Sequence, residues 1–95
     1  MFIEPKEDAP KLRFDLIPPR AMTEVALAFS VGAAKHGDGD YLVHPKPLSH
    51  HVGALLRHLY AHLQGEERDA DGQLHIASVA ARAMMILELM LTSRQ

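Results

Sequence analysis

"QLHIASVAARAMMILELMLT", residues 73–92, is the stretch that decides the fold. Leu74, Ile76, Val79, Met84, Met85, Ile86, Leu87, Leu89, Met90 and Leu91 cover most sides of a helix drawn through it. A helix apolar all round is a buried helix. In a chain of 95 residues the cover is expected to come from another subunit. The main polar interruption is His75, Ser78 and Arg82, a stripe with a charge inside what should be core, so it is expected to face a polar cleft. The most apolar part, Ile76–Leu91, is shorter than a membrane span and is broken by Arg82 and Glu88.

Working outward, "GEERDADGQLH", residues 65–75, joins this helix to an earlier one over residues 49–64. There Val52, Leu55, Leu56, Leu59 and Leu63 form a core stripe, Ser49 is the expected N-cap and Gly65 the expected stop. His51, His58 and His62 lie within roughly 20° of one line at about 100° per residue, and that line borders the leucine stripe. Further upstream, Pro18 and Pro19 suit a helix start. Met22, Val25, Ala26, Phe29 and Ala33 then recur at helical spacing until Gly37. The pattern predicts an all-α fold of three main helices, near residues 18–35, 49–64 and 73–92, in a bundle completed by oligomerisation. Residues 1–10 read as a flexible N-terminal arm and 11–95 as one helical domain.

Composition excludes several classes. Apolar residues make up 47% of the chain, enough for a core. A net charge of −2 gives no basic excess for a nucleic acid polymer. With no cysteine there is neither a disulfide framework nor a thiolate-held metal. "MFIEPKEDAP" lacks the features of a signal peptide, so a soluble cytoplasmic protein is expected, with no membrane partner. Seven histidines are the unusual feature, because this side chain binds metals and moves protons near neutral pH.

The acidic joining loop admits three readings. Its carboxylates are solvated, or complement the N-terminal dipole of the next helix. Alternatively, Glu67-x-Asp69-x-Asp71-Gly72 matches the head of a calcium loop, although Ser78 stands where a bidentate Glu is needed. In the third reading, Glu66-x-x-Asp69 places two carboxylates one helical turn apart, within reach of one hard cation that holds a phosphate substrate. His58, Glu66, Asp69 and His75 are expected to converge.

Three segments carry a resemblance. "KLRFDLIPP", "GAAKHGD" and "LLRHLYAHLQGEERDADGQLH" occur in the order and form found in the phage-encoded dATP/dGTP diphosphohydrolase family, an all-α group placed with the MazG-like nucleotide pyrophosphohydrolases. The last block is the most specific, since it sets Arg57, His58, Gly65, Glu66, Asp69, Gly72 and His75 together. The resemblance implies a MazG-like domain that hydrolyses a purine deoxynucleoside triphosphate to monophosphate and pyrophosphate. It implies Mg2+ or Mn2+ held by Glu66, Asp69, His58 and His75, with Glu66, Asp69 and His58 catalytic. Lys11, Arg13, Asp15, Lys35 and Arg57 would bind substrate, the cations meeting its phosphates. It also implies a homodimer or homotetramer in the cytoplasm of an infected bacterium. The chain departs from the family pattern at Ser78, where a second histidine often stands, and at Arg82, where an asparagine does. It also has only one of the two acidic helical motifs associated with MazG-like enzymes. The alternative is a non-catalytic helical module on the same scaffold, binding a nucleotide or a protein.

Overall fold

The computed structural model describes residues 11–93, so the expected arm at 1–10 lies outside the described residues, as do 94–95. A single 3-10 turn, Phe14–Leu16, leads to Pro18 and Pro19. Pro19 occupies the first position of α1, Pro19–His36, where a backbone N–H has no helical partner and proline costs nothing. Gly37, at φ 99°, ends α1 by returning its N–H to the Ala33 carbonyl at 2.8 Å. A four-residue helix, α2, Asp40–Val43, interrupts the next loop. α3 spans Leu48–Leu63 and α4 spans His75–Thr92. Among the described residues there is no strand, only an isolated bridge between Arg68 and Leu74. The fold is all-α, as the periodicity predicts.

The helix boundaries differ from expectation for local reasons. Ser49 is not the N-cap of α3, because the helix begins at Leu48, behind Pro47, and makes no side-chain cap bond. α4 begins at His75 rather than Gln73 because Gln73 and Leu74 close the preceding loop instead. The Gln73 carbonyl accepts the Asp69 N–H at 2.8 Å, and Leu74 pairs across with Arg68.

α4 packs chiefly along α3 and secondarily along α1. The contact is built from small residues. Val25 of α1, Ala54 of α3, and Ala77 and Ala81 of α4 are the buried apolar residues among those described. Alanines let two helix backbones approach closely, but each removes little apolar surface from water. The expected leucine stripe is correspondingly not a core within one chain. Leu55 and Leu59 are half-buried, Val52 and Leu56 are exposed, and Leu63 is 67% exposed. Among the described residues α3 meets chiefly α4, and no second surface covers the exposed part of the stripe. The radius of gyration is 15.2 Å, against about 12 Å for a compact chain of this length. By length and composition α4 is apolar enough to cross a membrane, a test that a bundle's core helix also passes. Arg82, midway along it, lies against two cavities.

Candidate functional site

The loop between α3 and α4 is held by its own backbone and one side chain. Gly65, at φ 96°, turns the chain away from α3. Asp69 then bends back on the loop. Its Oδ1 accepts the Asp71 N–H at 2.9 Å and the Gln73 N–H at 3.0 Å, the local bonding that favours Asp in turns. Arg68 donates to the Gly72 carbonyl at 2.8 Å. Buried Gln73 reaches the Leu27 carbonyl at 3.5 Å, a long bond that ties the loop to α1.

This loop delivers Glu66 and His75 to His58. The His75 backbone N–H donates to the Glu67 carbonyl at 2.9 Å, and the ring, 5% exposed, uses both nitrogens. Nε2 lies 2.8 Å from Glu66 Oε1, and Nδ1 lies 2.8 Å from His58 Nδ1. The partners set the protons. An ionised carboxylate only accepts, so His75 carries hydrogen on Nε2. A neutral His75 then offers a lone pair at Nδ1, and His58 Nδ1–H donates to it. His58 Nε2 is left as a bare acceptor with no partner among the described residues. Burial holds the His58 ring below the ordinary histidine value, so it is neutral at pH 7.

His58 lines a crevice of about 310 Å³ together with Lys35, Asp69, Asp71, Ser78 and Arg82. Ser78 and Arg82 thus face a polar cleft, as their place in an apolar helix predicts. Lys35 forms an ion pair with Asp71 across the crevice. Arg82 is not paired with a carboxylate among the described residues. It donates to His51 Nδ1 at 2.8 Å, and its burial lowers its affinity for a proton. A second cavity of about 660 Å³, lined by Phe29, Tyr41, His50 and His51 among others, shares Gly32, His36, Arg82 and Met85 with the crevice.

The structure therefore brings His58, Glu66 and His75 into one hydrogen-bonded chain and places Asp69 and Lys35 at the adjoining crevice. It does not bring the four expected metal ligands to one point. Both His75 nitrogens are committed, Asp69 Oδ1 holds two backbone N–H groups, and no group of three ligating side chains converges among the described residues. The calcium reading meets the same obstacle at Asp69. Arg13 and Asp15 bond each other twice at 2.8 Å, exposed and away from both cavities, and Lys11 and Arg57 are exposed and line neither. Sequence reasoning named Asp71 only in the calcium reading, passed over Gln73, and placed His51 only on the histidine line. Their partners lie 36 and 46 residues away for the first two and 31 for the third, beyond any local pattern.

The lowered proton affinity of His58 fixes a pH dependence. Below about pH 6.5 the unfolded chain takes up a proton at this histidine that the folded chain resists, so stability falls as pH falls through that range. Thermal unfolding followed by circular dichroism should show a lower Tm at about pH 5.5 than at about 7.5. In His58→Gln the drop should be smaller; an identical drop would contradict the assignment.

One family model, described as "dATP/dGTP diphosphohydrolase, N-terminal", matches residues 4–95. Comparison with curated proteins and with solved structures returns no match.

Proposed function

The chain belongs to the dATP/dGTP diphosphohydrolase N-terminal family, and from that premise we propose that it hydrolyses a purine deoxynucleoside triphosphate to the monophosphate and pyrophosphate. The observation that supports catalysis is the chain Glu66–His75–His58, which ends in a bare ring nitrogen at a crevice containing cationic groups. In this reading a water attacks the α-phosphorus and gives its proton to His58 Nε2. The proton on His58 Nδ1 passes to His75 Nδ1, and the positive charge comes to rest on His75 beside the Glu66 carboxylate. The α–β phosphoanhydride bond breaks and the electron pair leaves with pyrophosphate. Lys35 and Arg82 offset the charge that builds on the phosphate oxygens.

Magnesium or manganese is proposed to arrive with the triphosphate. Mg2+ is commonly held by substrate phosphates with one or two carboxylates rather than by a dedicated protein cage. Asp71 and the second oxygen of Asp69 are the carboxylate oxygens at the crevice that would meet it, and the metal would draw charge from the phosphates. The setting proposed is the cytoplasm of an infected bacterium.

The test is pyrophosphate release from dGTP and dATP with magnesium or manganese. Glu66→Gln and His58→Gln should each lower turnover by at least about a hundredfold while leaving helicity intact, within the usual range for an acid–base group. Unchanged turnover in both would place the chemistry elsewhere. Nucleotide binding without release in the unaltered chain would favour the non-catalytic module on the same scaffold.

A second copy is proposed to cover the apolar surface left bare on α3 and α4, where Leu63 is 67% and Leu87 56% exposed. Light scattering at micromolar concentration should return at least twice the chain mass of 10.5 kDa; a monomer would contradict this.

A further inference from the structure

Charge is balanced differently in the two cavities. In the crevice Lys35 is paired with Asp71, and Asp69 lines the same space. The larger cavity, of about 660 Å³, is lined by Lys46 and Arg82 against a single carboxylate, Asp40. Neither of these cations has a carboxylate partner among the described residues. Arg82 is half-buried, and a guanidinium drawn out of water without a counter-ion is costly. Its bond to His51 engages one of its N–H donors, and the others have no partner among the described residues.

The surroundings of Lys46 reinforce this positive charge. Pro45 and Pro47 flank it and stiffen the backbone that carries it. It stands two residues before α3, whose first turn has no acidic residue and whose start has no capping side chain. The positive end of the helix dipole is therefore uncompensated there. The buried ring of His51 registers the combined field: burial first, then Arg82 and more weakly Lys46, hold it below the ordinary histidine value. Lys46, His51 and Arg82 lie outside the three segments that carry the family resemblance, so the resemblance does not imply them.

We propose that the end of the larger cavity framed by Lys46, Arg82 and the start of α3 receives the β- and γ-phosphates of the substrate, the part that leaves as pyrophosphate, and that Lys46 holds them. Arg82 lines both cavities, so a row of phosphates passing it runs from the crevice, where His58 faces the attacked phosphorus, to Lys46 beyond. The paired Lys35 meets the α-phosphate, and the unbalanced cations meet the more highly charged end. As the α–β bond breaks, negative charge builds on the departing pyrophosphate, where Arg82 and Lys46 stabilise it. The inference rests on the hydrolase reading above, and goes beyond it in naming where the leaving group sits and which residue holds it.

The test is calorimetric binding of inorganic pyrophosphate, dGMP and the non-hydrolysable α,β-imido analogue of dGTP to the full chain with magnesium present. Pyrophosphate release from dGTP and dATP is measured in parallel. Inorganic pyrophosphate should bind and should compete with the analogue. Lys46→Gln should weaken pyrophosphate and the analogue at least about fivefold, as when a charge-assisted contact is lost. It should leave dGMP unchanged, because a monophosphate has nothing to place at Lys46. Lys46→Arg should restore most of the loss. Lys46 is exposed and precedes α3, so its replacement is compatible with folding. Equal weakening of all three ligands, or no weakening of any, with nucleotide still cleaved, overturns this inference alone. Failure of the unaltered chain to bind pyrophosphate also overturns it. Pyrophosphate binding that depends on Lys46 in a chain that cleaves neither nucleotide overturns the hydrolase reading and, with it, the assignment of the site to a leaving group.

Discussion

His75 is the side chain on which loop, helix and crevice all depend. It is the first residue of α4, its backbone N–H is taken by Glu67, and its buried ring spans from Glu66 to His58. A buried imidazole with one unmatched nitrogen would be destabilised, so α3 and the loop must both supply partners. Meeting that demand sets where α4 begins and how far it lies from α3. The same two bonds leave His58 with a bare Nε2. A structural requirement and a chemical capacity therefore arise from one geometry.

The core around this ring is small, and that has consequences. Val25, Ala54, Ala77 and Ala81 allow close helix approach but bury little apolar area. Polar ties substitute for part of that burial: Gln73 to α1, Asp69 to its own loop, and Lys35 to Asp71. Arg82 extends the same logic two turns further along the same face of α4, where it bonds His51 and lines both cavities. One apolar helix thus carries Arg82, which lines both cavities, and His75, which bonds the crevice-lining His58.

Much of this was legible in the sequence. Apolar periodicity identified the three long helices, because each must bury at least one face. A charge and two polar residues inside the apolar pattern of α4 marked a cleft, because water or a ligand must meet them. His58, Glu66 and His75 were expected together because one helix end and the next helix start share a short loop. Other features depended on tertiary pairing. One oxygen of the Asp69 side chain satisfies two backbone N–H groups, which leaves only the other for a cation. Arg13 and Asp15 neutralise each other instead of reaching the site. The leucines of α3 were read as core because periodicity shows which face is apolar, not what lies opposite it. The histidine line divided for the same reason: His51 is buried, His58 half-buried and His62 exposed.

The central claim is a protonation pattern, and imidazole resonances report it directly. Long-range ¹⁵N–¹H correlation spectra of the labelled chain at about pH 7.5, above the reference histidine value, separate the two neutral tautomers. His75 should be protonated at Nε2 and His58 at Nδ1, with the His58 signal reverting to the common Nε2–H form in Glu66→Ala. A His58 already in the Nε2–H form in the unaltered protein would leave no bare nitrogen at the crevice and would contradict the account.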